Sequence, residues 1–75
     1  MFILTSVRLG DVTVEAVTEH WATATSLMQQ LIGDCVKEYA DNHPVVHDLE
    51  EDKVKVECRD QGEVAVFEIH CRTVE

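Results

Sequence analysis

The side chains best suited to metal binding are three cysteines and four histidines. His43 and His47 stand four residues apart, a spacing that aligns two ligands on a helix, but the proline between them argues against a helix there. A closed zinc site needs four convergent nitrogen or sulfur ligands. In the strand pattern described below, Cys58 and Cys71 share one face of a sheet and His70 points to the other. We therefore expect no metal and no other cofactor.

The number and spacing of the cysteines also do not indicate a disulfide framework. Cys35, Cys58 and Cys71 form no CxxC pair, and their number is odd. Buried, reduced thiols in a cytosol-like compartment are the expectation. Residues 1–4 are too short an apolar run for a signal peptide, and no basic residues precede them. No apolar run reaches the length of a membrane span. The sequence thus predicts a cytoplasmic protein.

Catalytic motifs are missing from the sequence. It contains no glycine-rich phosphate loop, no nucleophile elbow and no HExxH pair. A protein of 75 residues also rarely forms a cleft large enough for a substrate. We expect a protein that is not an enzyme. A small metal- or thiol-dependent enzyme remains the alternative.

The charge is strongly acidic, with 6 basic and 15 acidic residues and a formal net charge of −9. Nucleic acids and anionic membranes bind cationic surfaces, so neither is expected as a direct ligand. A basic protein partner is compatible with this charge, and so is a role in solubility alone.

The acidic residues concentrate in residues 34–52, which hold one base and seven acids, a formal net charge of −6. Acids near the end of a helix face the negative pole of its dipole, which is unfavourable, so a stability-only sequence would place bases there. We interpret the cluster as a surface that docks on a basic protein; a merely solvated acidic face is the alternative. This acidic flank comprises Asp34, Glu38, Asp41, Asp48, Glu50, Glu51 and Asp52.

One helix is predicted, from Thr18 to Asn42, with Thr18 as its N-cap. Residues at helical spacing form a connected apolar stripe, which requires a sheet or a partner to cover it. The pattern favours core packing over a cofactor site. The stripe consists of Trp21, Ala24, Met28, Leu31, Ile32, Cys35 and Tyr39.

Two β-hairpins flank this helix. Residues 2–17 fold about Gly10, placed first in a type II′ turn, so that Val7 faces Val14 and Ile3 joins their face. Residues 53–60 and 63–73 fold about the Gln61–Gly62 pair. Residues 42–52 are predicted to be a connector. The result is a single α+β domain over residues 1–75, of order ββαββ, with a four-stranded, mainly antiparallel sheet and the helix on one face.

A single helix leaves the other face of the sheet uncovered. In the predicted register this face carries apolar side chains, and a contiguous apolar patch usually marks an interface. We expect it to bind a second copy or another protein; a scattered and harmless set of residues is the alternative. The predicted sheet-face interface comprises Phe2, Leu4, Val17, Val64 and Val66.

The element order and size are similar to those of several small phage-encoded inhibitors of host machinery. This likeness concerns architecture alone; it covers no motif and transfers no residue. The leading hypothesis is a small acidic binding protein that acts as a nucleic-acid mimic, occupying Lys/Arg surface that otherwise holds phosphates. The second hypothesis is a homodimeric structural module that pairs through the helix-free sheet face.

Overall fold

Residues 1–72 are described by a computed structural model, in which one helix packs on one face of a five-stranded antiparallel sheet. The predicted α+β class is confirmed. The predicted four strands are wrong, because a fifth strand forms within the expected connector. The strands lie in the order β2-β1-β5-β4-β3. The elements are β1 (Phe2–Arg8), β2 (Asp11–Thr18), α1 (Trp21–Glu38), a 3₁₀ turn (Ala40–Asn42), β3 (Pro44–Glu50), β4 (Lys53–Cys58) and β5 (Gly62–Cys71).

The helix is shorter than predicted at both ends. Thr18 does not cap it, because Thr18 ends β2 and its hydroxyl accepts a hydrogen bond of 3.2 Å from the backbone N–H of His20. His20 occupies the N-cap position without a side-chain hydrogen bond. At the other end, the chain tightens into the 3₁₀ turn and His43 adopts a left-handed conformation, with φ of 53°. That conformation turns the chain into β3.

The apolar stripe of the helix is the side that meets the sheet, as predicted. Ala24, Met28 and Cys35 are buried, and the remaining stripe residues are partly buried against the same core. The interior strands supply the largest buried side chain, that of Phe67, which is fully inaccessible. Burial of these apolar side chains, together with the sheet, stabilises a chain too short for a large core.

The first hairpin turns one residue earlier than predicted. Leu9 and Gly10 are the two central residues, with φ of 53° and 86°, and Arg8 pairs with Asp11. Two positive φ values are typical of a type I′ turn, which matches the twist of the strands. Leu9 thus adopts a left-handed backbone conformation, which is uncommon for residues other than glycine, and the sequence does not predict it at this position. Moving the turn by one residue moves the pairing by two, so Val7 pairs with Val12 instead of Val14 and the strands keep their faces near the turn.

The helix covers the face of the first hairpin opposite to the predicted one, which overturns part of the predicted sheet-face interface. Leu4 is fully buried under the helix, and the ring of Phe2 lies edge-on to Trp21 with centroids 5.5 Å apart. Val64 is also in the core, at 4% exposure, because it is the extra residue of a β-bulge in β5, opposite Val56 and Glu57 of β4. Phe2, Leu4 and Val64 were therefore assigned to the wrong face. Val17 and Val66 lie on the helix-free face, as expected.

The predicted connector contains an edge strand. Strand β3 pairs with β4 and reaches it through a two-residue turn at Glu51 and Asp52. A register shift between Asp48 and Glu50 leaves Leu49 as an extra residue. That bulge breaks the alternation of apolar and polar residues, so the strand lacks the period-two pattern used to recognise strands.

In the second hairpin the predicted residues face the core, but the residues that pair across the two strands differ from those predicted. Its core side chains are all buried as expected, but Cys58 pairs with Gly62, and Lys53 rather than Lys55 lies opposite Glu68. The bulge at Val64 and a three-residue loop, 59–61, account for the shift. The predicted strand end at residue 73 lies outside the described residues. The confirmed core set is Val54, Val56, Cys58, Ala65, Phe67 and Ile69.

Candidate protein-binding surfaces

A groove runs between the helix and the outer edge of the sheet, because one helix does not cover five strands. Its cavity has a volume of about 390 Å³. The walls combine apolar and polar helix side chains with carboxylates from β3 and the turn after it. We call it the acidic groove; it is lined by Thr25, Met28, Gln29, Ile32, Asp48, Glu50, Glu51 and Val54.

The cationic residue beside the acidic groove is Lys53, which pairs with Glu50 across β3 and β4 without lining the groove. No Lys, Arg or His lines the groove, and within residues 1–72 none of Asp48, Glu50 and Glu51 takes part in an ion pair. All three are exposed on one rim, and Met28, Ile32 and Val54 line the groove beside them. Like charges in a cleft reinforce one another and focus the potential. The groove is thus a negative site with apolar contact surface beside it.

A second, smaller groove lies on the opposite flank of the helix. Its volume is about 110 Å³, and its walls include Glu15 and Asp34 beside Leu4, Leu27 and Leu31. Glu15 was absent from the predicted site. It reaches the helix side only because it is the extra residue of a bulge in β2, for which the sequence offers no signal.

The predicted acidic flank is therefore not one surface. Asp48, Glu50 and Glu51 come together, whereas Asp34 lies across the helix in the smaller groove. Glu38 is held by Arg8, with Nη1 and Oε2 3.1 Å apart.

The last two members of the predicted flank lie in turns. Asp41 lies in the 3₁₀ turn. Asp52 lies in the β3–β4 turn, where its backbone carbonyl accepts a hydrogen bond of 2.8 Å from the backbone N–H of Ile69. Neither lines the acidic groove.

The helix-free face carries a contiguous apolar patch at the β2 side of the sheet. In one row across three strands, Val12 pairs with Val7 and Val7 with Val66. Neighbouring rows add Val14, Val17 and Ile3. Val12, Val14 and Val17 are 69%, 60% and 55% exposed. We call this patch the valine face; it comprises Ile3, Val7, Val12, Val14, Val17 and Val66.

Polar side chains of β1, β5 and β4 lie on the same side of the sheet, and they begin beside the valine face, where Thr5 pairs with Val14. The hydroxyl of Thr5 lies 3.0 Å from Nε2 of His70, which lies 3.4 Å from a carboxylate oxygen of Glu68. Farther along, Nζ of Lys55 lies 3.5 Å from Glu57. Glu68 and Glu57 thus each lie beside a basic side chain, as Glu38 does on the helix side.

The thiols and histidines form no centre in the described part of the chain. No group of three or more His, Cys, Asp or Glu side chains within residues 1–72 is placed to hold a metal ion. Cys35 and Cys58 are buried and Cys71 is exposed. Burial raises the pKa of the Cys35 thiol, an effect that the Arg8 guanidinium partly opposes. No helix in residues 1–72 is long and apolar enough to cross a membrane.

Comparison of the chain with protein-family models, with curated proteins and with solved structures found no match.

Proposed function

We propose that this chain is a non-enzymatic protein-binding module that binds Lys/Arg-rich protein surfaces through the acidic groove. The observation that carries this proposal is the set of three carboxylates, Asp48, Glu50 and Glu51, around one cavity with no cation among its lining residues. The formal net charge of −9 gives the same preference over long range.

The groove suits the two parts of a long basic side chain. Lys and Arg place aliphatic stems on apolar surface and keep their charged heads at its edge. Met28, Ile32 and Val54 offer that apolar surface, and the rim carboxylates accept charge-assisted hydrogen bonds from the heads. When Lys and Arg side chains of a partner are bound in the acidic groove, they are no longer available to bind phosphates. The module then acts as a nucleic-acid mimic that inhibits its target.

A fluorescent peptide of ten arginines is a suitable probe, measured by anisotropy at several salt concentrations. The triple variant Asp48→Asn, Glu50→Gln, Glu51→Gln should bind it at least about tenfold more weakly than the wild type, a loss of about 1.4 kcal/mol. Its affinity should also fall less steeply with salt.

The matched control is the triple variant Asp11→Asn, Glu19→Gln, Asp60→Asn. It removes the same charge from exposed positions outside the groove. We expect less than about a threefold loss for this control, since only the long-range field changes. Equal losses in both triples would show that net charge alone attracts the probe, and would contradict a site at the groove.

Mimicry has its own test. Labelled duplex DNA pre-bound to the arginine peptide should be released on addition of the wild-type protein, and the groove triple should release much less. A wild-type protein that binds the peptide without releasing DNA would contradict the inhibitor role and leave the binding role standing.

A further inference from the structure

We infer that the valine face binds a second copy of this chain. The patch is built by register: Val12, Val7 and Val66 lie side by side on three adjacent strands, and Val14 and Val17 extend it along the edge strand β2. The outer valines are more than half exposed. Contiguous apolar surface of this kind on a small protein marks an interface rather than solvated surface.

Charge directs a second copy to this face. Two chains with a formal net charge of −9 repel each other, so they can associate only where local charge is low. The strands around the valine face bear Lys53 and Lys55 against Glu57, Glu63 and Glu68, which nearly balance. The acidic groove is lined by residues of the helix and lies on the helix side of the sheet. The helix-free face is thus the surface of least repulsion.

The arrangement of the patch is also compatible with a two-fold symmetric dimer. A two-fold axis running across the strands above β1 lays β2, β1 and β5 of one copy on the same strands of the other. Along the row of Val12, Val7 and Val66 valine then meets valine, as in packed sheets with β-branched inner faces, while Thr5 and Glu68 form a polar row beside it. A basic partner, by contrast, finds no excess negative charge here and is attracted to the helix side.

The dimer carries its two acidic grooves on opposite outer sides. Two linked sites raise the apparent affinity for a partner with repeated basic segments. The dimer itself does not depend on what the groove binds, so its test is independent of the proposed function.

Sedimentation velocity over a concentration series, up to about 1 mM chain, tests the inference. The wild type should approach twice the chain mass of 8.5 kDa. The double variant Val12→Glu, Val14→Glu should remain monomeric, with a dimer dissociation constant raised at least about 100-fold by buried like charges. Both valines are exposed in the monomer, so circular dichroism should show the wild-type fold.

The control variant Val45→Glu, Leu49→Glu makes the same chemical change at exposed positions of β3, outside the valine face. It should dimerise within about threefold of the wild-type constant. A wild type that is monomeric at the highest concentration overturns the inference. So does a folded Val12→Glu, Val14→Glu variant that dimerises as tightly as the wild type.

Discussion

The hydroxyl of Ser6 donates a hydrogen bond of 2.7 Å to Oε1 of Glu15. Ser6 is 2% exposed and is the only buried polar residue within residues 1–72. Glu15 is the extra residue of the β2 bulge, so the contact fastens the bulge to the neighbouring strand. Because of the bulge, Ala16 pairs with Leu4 and both side chains face the helix. Val14 and Val17, on either side of this pair, both lie on the valine face.

Removing this hydroxyl should weaken the fold. We expect Ser6→Ala to lower the free energy of unfolding by about 1 kcal/mol, the usual contribution of a buried hydrogen bond. Urea denaturation followed by circular dichroism measures it. Glu15→Gln keeps an oxygen acceptor and should cost less than Ser6→Ala. Ser26→Ala, at an exposed helix position, is the control and should change stability by less than about 0.5 kcal/mol. Wild-type stability in Ser6→Ala would contradict a role for this contact.

The thiols should differ sharply in reactivity. Cys71 is exposed, whereas Cys35 and Cys58 lie in the core. An aromatic disulfide reagent at pH 8 should therefore react at once with one thiol per chain in the native protein and with all three after denaturation. Cys71→Ala should abolish the fast phase. A fast phase of two or three thiols would contradict the packing of the helix on the sheet.

The burial of the Cys35 thiol predicts that the folded protein loses stability in alkaline solution. Its folded-state pKa is raised, chiefly by burial, so the folded chain keeps its proton at a pH where the unfolded chain loses it. The unfolded state is then favoured as the pH rises above about 8.5, the ordinary thiol value. Below that value the thiol is protonated in both states and this contribution to stability is complete.

The variant Cys35→Ala isolates this effect. It should be less stable than the wild type at pH 7, because it leaves a small cavity, and the difference should narrow between pH 8 and pH 10. Cys71→Ala, at an exposed position, controls for the other alkaline groups. Urea midpoints at each pH measure the difference. A constant gap between Cys35→Ala and the wild type would contradict the burial of this thiol.

Side-chain periodicity predicted the parts of the fold where it is uninterrupted. The stripe of Ala24, Met28 and Cys35 and the core face of the second hairpin lie where their spacing indicates. Prediction failed where a single residue shifts the register. Leu9 in a left-handed conformation displaces the first turn, and Leu49 in a bulge conceals β3. Neither residue type favours such a position, so local propensity gives no sign of it.

The candidate surfaces show the same limit. The density of acids in residues 34–52 predicted a negative surface, and Asp48, Glu50 and Glu51 form one. Sequence spacing could not show that Glu38 is neutralised by Arg8, since that ion pair joins residues 30 positions apart. The valine face was anticipated through Val17 and Val66. Its other members lie there because the helix covers the face of β1 that carries Leu4, and Val17 joins them only through the bulge at Glu15.

The most direct test of the central claim is a nuclear magnetic resonance titration of ¹⁵N-labelled protein with the arginine peptide. Backbone amides of residues 48–52 and of the facing helix segment, Thr25 to Ile32, should shift first and saturate together. Amides near Asp11, Glu19 and Asp60 should change little. Shifts spread evenly over all exposed acids, or confined to the valine face, would contradict binding at the acidic groove.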